Sequence, residues 1–172
     1  MKRIRYGVAM SLDGYIAGPN GEADWIVSDP DVNFAEIWAQ FDTLLMGRRT
    51  YDAAKARLGE TALQGVKTIV VSHTLRHADH PQVTIFSDLN RDWIEELRAR
   101  GGKDIWLMGG GEMFRSMLEM GEVDAVEVAI MPVLLGKGIA LLPSITKQNK
   151  LRLSSHKIYR SGIVQLIYEV QK

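Results

Sequence analysis

The chain has 172 residues, 46% of them hydrophobic and 24% charged, with 21 Lys+Arg matched by 21 Asp+Glu and no cysteine. That length suits one domain, expected over residues 1–172, and the balanced charge leaves no electrostatic footprint for nucleic acid or an anionic membrane. Thiolate metal sites, disulfides and cysteine nucleophiles are excluded, while the broken apolar stretch after Met1-Lys2-Arg3 and the lack of any run of ~18–20 apolar residues predict a cytoplasmic protein with no secretion signal and no membrane span.

Arg3 to Ser11 reads as a strand, and the loop after it carries Asp13-Gly14, Gly18-Pro19 and Asn20-Gly21, all turn chemistry. Phe34, Ile37, Trp38 and Phe41 fall at i, i+3, i+4 and i+7, which predicts an amphipathic helix over about 31–42 with Asp29 or Asp31 as its cap. Leu44-Leu45-Met46, ending at Gly47, is a short and wholly apolar strand. Thr50 to Leu58 reads as an Ala-rich helix, Val66 to Ser72 as a β-branched strand and Val83 to Phe86 as the next strand. Leu89, Trp93 and Leu97 repeat every four residues up to Gly101-Gly102, a helix with a glycine stop. Ile105 to Met108 is a strand that leads through Gly109-Gly110-Gly111 into a helix from Glu112 to Met120, with Met113, Phe114, Met117 and Leu118 on its core face. Val126, Val128 and Ile130 then alternate with smaller or polar residues, and Leu151 to Tyr159 joins Ile163 to Val170 through a turn short enough to force an antiparallel pair. The architecture expected is an α/β sheet of about eight strands, mainly parallel with a C-terminal antiparallel hairpin and helices on both faces.

Ligands of such sheets lie beyond the carboxyl ends of the strands. At Gly47-Arg48-Arg49-Thr50 a buried strand ends and a helix begins with two guanidiniums and a hydroxyl, an arrangement suited to an anion; the bland alternative is that Thr50 caps the helix and the arginines are solvated. Gly109-Gly110-Gly111 permits close backbone approach, either to a phosphate or within a tight turn, and is neither GxGxxG nor a P-loop. Ser72-His73 ends a third apolar strand. His77, Asp79 and His80 form an HxxH loop that is expected to be solvated and not a metal site, and His156 is expected to be exposed.

These motifs, together with Val8-Ala9-Met10-Ser11-Leu12-Asp13-Gly14-Tyr15-Ile16-Ala17 and Pro132-Val133-Leu134-Leu135-Gly136-Lys137-Gly138, occur in order along nearly the whole chain. The chain thereby resembles the dihydrofolate reductase superfamily, and within it the reductases related to the C-terminal half of the bacterial riboflavin-biosynthesis deaminase-reductase. The resemblance implies NADPH as cofactor and hydride transfer to an unsaturated C=N or C=O of a small pterin-, pyrimidine- or ribosylamine-like substrate. It implies that Arg48 contacts the 2′-phosphate, with Gly47, Arg49 and Thr50 beside it, and that Ser72 with His73 forms the other wall of the adenosine-phosphate pocket. Gly109-Gly110 matches a pair with a cis peptide, Gly111, Glu112, Met113 and Phe114 supply a helix N-terminus for the pyrophosphate, and Ala9 and Ile16 line the nicotinamide. Trp25 matches a tryptophan near the substrate pocket, and Phe34 and Trp38 face the substrate from the first helix.

The chain also departs from the family's pattern. Glu36 lies off the inward face of the first helix, where folate reductases place a carboxylate, and Met108 stands where the riboflavin reductases carry an acid. Asp13 is then the remaining candidate for a substrate contact or proton donor, against a plain Asp-Gly turn. A nucleotide-binding module that has lost catalysis is the competing reading. A homodimer is expected through the Val164/Leu166/Tyr168/Val170 face and the Pro132 to Gly138 loop.

Overall fold

The apolar and β-branched runs pair into one eight-stranded sheet in a computed structural model that describes residues 1–59, 63, 65–145 and 147–172. In chain order the elements are β1 (Ile4–Ser11), β2 (Tyr15–Ala17), α1 (Phe34–Trp38), β3 (Phe41–Gly47), α2 (Arg48–Leu58), β4 (Lys67–Val71), a 3₁₀ turn (His77–Asp79), β5 (Thr84–Phe86), α3 (Arg91–Ala99), β6 (Asp104–Gly109), α4 (Gly111–Glu119), β7 (Ala125–Met131), β8 (Ile139–Ala140), β9 (Leu151–Ile158) and β10 (Val164–Val170). Across the sheet the order is β5-β4-β3-β6-β1-β7-β10-β9. Neighbours from β5 to β7 are parallel, whereas β10 runs antiparallel to both β7 and β9. The expected parallel sheet with its terminal hairpin is thus present. β2 and β8 form a separate antiparallel pair; at three and two residues they are too short to show a period in the sequence.

Alternation along the strands divides the core between two faces. Tyr6, Leu45, Ile69, Leu107 and Val128 lie on the face that α3 and α4 cover with Ile94, Leu97, Met113, Phe114 and Met117. Leu44, Met46 and Val70 pack beneath Tyr51 of α2 on the other face. Farther along that second face Ala9, Ala129 and Met131 meet Trp25, Ile26, Val32, Tyr159 and Ile163. Among the described residues no helix is long and apolar enough to cross a membrane.

The expected helix over 31–42 is replaced by the five residues of α1. Its cap is Asn33, whose side chain accepts from Glu36 N–H at 3.2 Å. Asp29 instead accepts from the N–H groups of Asp31 and Ser161, at 2.8 and 2.9 Å. Phe41 is the first residue of β3, where it is buried, and Phe34 is 60% exposed. A strand paired on both edges takes over the end of the apolar stripe, because tertiary hydrogen bonding and burial outweigh a helical preference.

The Tyr6 ring is wholly buried and stacks on Phe114 at 3.8 Å, yet its hydroxyl has no hydrogen-bond partner among the described residues. Burial pushes its pKa up. Tyr6→Phe is expected to stabilise the fold by about 1 kcal/mol, since the unsatisfied group disappears while the ring contact stays. Urea unfolding measures this, and a loss of similar size would mean that the hydroxyl is bonded.

Candidate active site

β3 and β6 lie side by side, but the chain leaves them in opposite senses. From Gly47, α2 passes onto one face and leads to β4; from Gly110, α4 passes onto the other and leads to β7. A reversal of this kind opens a crevice at the carboxyl ends of the strands. Both helices start from a glycine cap, and neither cap makes a side-chain hydrogen bond. In α4 the Phe114 N–H closes the first turn on Gly110 O at 3.0 Å, leaving the N–H groups of Gly111, Glu112 and Met113 without partners among the described residues. Two uncapped helix N-termini therefore share one crevice, and each carries a partial positive charge.

The glycines make that approach possible. Gly109 has φ +100° and a Cβ there would lie 3.3 Å from the Tyr6 ring; a Cβ on Gly111 would lie 2.9 Å from Ala140 O. The Gly109-Gly110 peptide is cis, as the resemblance implies. Gly110 sits beside Thr50, whose hydroxyl would be 3.6 Å from a Cβ at that position. Thr50 is consequently a crevice residue inside the first turn of α2; the cap it was weighed as is Gly47.

Arg48 bonds the Thr74 hydroxyl and lies 3.4 Å from Asp52. Ser72 turns the chain after β4 by accepting from the N–H groups of Thr74 and Leu75, both at 3.2 Å. Arg48, Thr74 and the buried Ser72 thus form one cluster beside the helix starts, with Arg48 and Thr74 exposed. Thr74 escaped the sequence reading; its signal is the Ser-x-Thr spacing at a strand end. Arg49 is exposed and makes no ion pair among the described residues. His73 lines a cleft of about 430 Å³ with Gly47, Val71, Asp88, Glu112 and Met113. The side chains of Met113 and Phe114 pack into the core, with the Met113 Cβ reaching the crevice beside Gly47, and Phe114 contributes neither its N–H nor its ring.

On the other side of β6, Ala9 and Trp25 share one apolar cluster. Trp38 packs against Trp106 at 5.0 Å, and the Trp106 indole donates to Gly7 O at 3.0 Å. Ile16 lies half-buried in β2, and Phe34 stands exposed at the start of α1. Asp13 is a clamp between loops: it accepts from the Ser11 hydroxyl at 2.6 Å, Leu135 N–H at 3.1 Å and Gly136 N–H at 2.7 Å. The Ser11 hydroxyl and these amides hold its carboxyl below the ordinary range. An exposed carboxylate with three donors is not placed to release a proton near neutral pH. Its geometry is that of a residue that holds the Pro132 to Gly138 loop against the end of β1.

His77 and His80 are less free than a solvated loop would leave them: Nδ1 of His77 lies 3.2 Å from Val83 O, and Nδ1 of His80 lies 3.2 Å from the Tyr51 hydroxyl. His156 is exposed on β9. A larger hollow of about 780 Å³ lies at the opposite, amino-terminal end of the sheet, but its walls are ion pairs among Lys2, Arg98, Glu122, Asp124 and their neighbours.

The profile of the RibD C-terminal domain family matches residues 2–165. The uncharacterized protein YyaP of Bacillus subtilis is 31% identical over 97% of this chain and 94% of its own length. Among solved structures, a Shewanella sp. PV-4 protein assigned to riboflavin biosynthesis superposes with a TM-score of 0.85 at 25% identity, covering 100% of both chains. Dihydrofolate reductase from Enterococcus faecalis, solved with NADP(H), shares the fold with a TM-score of 0.73 at 15% identity, over 99% of this chain and 97% of its own.

Proposed function

The chain belongs to the family of RibD C-terminal domains, and we propose that it acts as an NADPH-dependent reductase on a small acceptor with an unsaturated C=N or C=O bond. The observation that carries this reading is the meeting of two uncapped helix N-termini beside the Arg48–Ser72–Thr74 cluster. Bare N–H groups, a guanidinium and two hydroxyls are the donor set that a phosphate-rich dinucleotide requires, so the residues fit the cofactor that the Enterococcus faecalis enzyme was solved with. When bound, NADPH supplies the hydride. Arg48, flanked by Arg49 and Thr50, takes the 2′-phosphate; Ser72 and His73 border the adenosine; the Gly111, Glu112 and Met113 amides take the pyrophosphate; Ala9 and Ile16 border the nicotinamide. Trp25, Trp38 and Phe34 shape the acceptor side, and Asp13 contributes by fixing the loop over β1.

Titrating the purified protein with NADPH and NADH tests this through thermal stabilisation and tryptophan quenching, because a ligand that binds the native state raises its apparent stability. Micromolar NADPH binding, weaker NADH binding and oxidation of NADPH with at least one pterin, pyrimidine or quinone acceptor are expected. Glu36, the acidic residue of α1, is exposed in its first turn and makes no side-chain bond among the described residues, which favours one second reading, a nucleotide-binding module without turnover. NADPH binding with no oxidation across the whole panel would select it.

We also propose a homodimer through the hairpin. Leu166 and Val170 pack on the core, more covered than the sequence suggests, but β9 is exposed along its whole length, with Leu151, Leu153 and Ile158 at 43%, 47% and 71%. An open edge strand with apolar side chains is a surface that natural proteins cover, and an antiparallel edge can pair with its own copy about a two-fold axis. Light scattering is expected to report a dimer for the protein and a monomer for Ile158→Glu; a monomeric parent protein would remove the proposal.

A further inference from the structure

The cleft of about 430 Å³ runs from the end of β3 across β4 to the end of β5, and its chemistry changes along the way. Beside β3 it is bounded by Gly47 and the start of α4, where bare N–H groups and the neighbouring Arg48 suit phosphates. Toward β5 its walls are Val71 and Leu89, half-buried against the core, and Met113. Ser87, Asp88 and Ser116, which lies one helical turn beyond Glu112, border that apolar slot.

The polar groups around the slot are weighted toward acceptors. The Ser116 hydroxyl donates back to Glu112 O at 3.0 Å, which leaves its oxygen free to accept. The Glu112 carboxylate is engaged by Arg115 at 2.8 Å. The Asp88 carboxylate makes no hydrogen bond or ion pair among the described residues, although its backbone is fixed. Asn90, the cap of α3, accepts from Trp93 N–H at 3.0 Å and donates from Nδ2 to Asp88 O at 3.0 Å. A carboxylate can only accept, and its charge opposes an anionic ligand. Asp88 therefore favours a ligand that brings a donor to this end of the cleft.

Resting on the reductase reading above, we infer that Asp88 reads the base of the dinucleotide: its carboxylate accepts from the exocyclic amine of adenine, and it selects an amino-purine over the 6-oxo counterpart. The faces of the ring lie in the apolar slot, and the amine meets the acceptors at its border. Hypoxanthine keeps the size and shape of the ring but replaces the amine with a carbonyl, which sets an acceptor against acceptors. A site built around a hydrogen bond rejects an analogue that cannot make it.

Calorimetric titration of NADPH against its deaminated analogue, reduced nicotinamide hypoxanthine dinucleotide phosphate, tests this directly. The parent protein is expected to prefer NADPH roughly tenfold. Asp88→Ala should lose most of that preference by weakening NADPH while the analogue binds as before or tighter. Asp88→Asn should bring the ratio to about twofold or less, because a carboxamide can accept from the amine or donate to the carbonyl. Arg48→Ala provides the contrast, since both dinucleotides carry the 2′-phosphate and should weaken alike. Equal binding of the two by the parent protein, or a preference that survives in Asp88→Ala, would overturn the inference; so would an equal loss of both in Asp88→Ala, which marks a merely structural role. Failure of the parent protein to bind either dinucleotide overturns the reductase reading instead, and AMP against IMP, which carry no nicotinamide, then decides whether the slot reads the amine.

Discussion

Arg48→Ala is expected to weaken NADPH binding by roughly 10–100-fold while leaving NADH binding within about twofold, because hydrogen bonds to a charged group are worth about 1.5–3 kcal/mol and only NADPH carries the extra phosphate. The guanidinium stands at the start of α2, bonded to Thr74 and near Asp52 on an exposed surface. Such contacts add little to stability, so the variant should fold as the parent does and the loss can be assigned to the ligand. Arg48→Lys is expected to fall between the two, since an ammonium keeps the charge but not the fork of donors. Calorimetric titration of both nucleotides measures the ratio, and equal losses for NADPH and NADH would place the 2′-phosphate elsewhere.

The largest loss of stability is expected at the opposite end of the sheet, where Arg98→Met should cost about 3–5 kcal/mol. The Arg98 side chain is 8% exposed and lies 2.6 Å from Asp124 and 3.1 Å from Glu122, with Nη2 donating to Glu122 O at 2.8 Å. Methionine fills much of the same volume but leaves the Asp124 and Glu122 carboxylates without this partner. Burial on its own would raise the Asp124 pKa; hydrogen bonds from Ile4 N–H, Lys172 and Arg98 outweigh it and hold the carboxyl below its ordinary value. A depressed carboxylate pKa contributes stability that is present above the unfolded value, near 4, and lost as pH falls through the folded one. The cost of Arg98→Met should therefore shrink on acidification, as protonation removes the unpaired charges. Urea unfolding at neutral and at acid pH measures both effects, and a cost independent of pH would mean that lost packing, not charge, is responsible.

Most of the sheet was legible because its strands are buried apolar runs of five to eight residues separated by glycine. The motif glycines were legible for a related reason: a strand that turns into a helix over a close neighbour admits no side chain, as at Gly109 and Gly111. The first helix was not, because Phe34, Ile37, Trp38 and Phe41 satisfy a helical period whether Phe41 ends a helix or begins a strand, and only pairing with β4 and β6 on both edges decides between them. Asp13 was ambiguous for the same kind of reason. Its residue type suits a proton donor, a turn or a loop clamp, and the amides of Leu135 and Gly136 that choose the clamp lie more than a hundred residues away in the chain.

The sequence by itself determined the alternation of strands and helices, the terminal hairpin and the identity of the groups at the strand ends, since these depend on local period, chain reversal and residue chemistry. Only the tertiary structure decided which of those groups stand together. Strand order placed Gly47 against Gly109 and Gly110 against Thr50, brought Thr74 to Arg48 and set Gln165 across Ala129 from Ala9. Proximity between residues far apart in the chain arises from how hydrophobic faces bury one another across the whole sheet, and no local pattern carries that information.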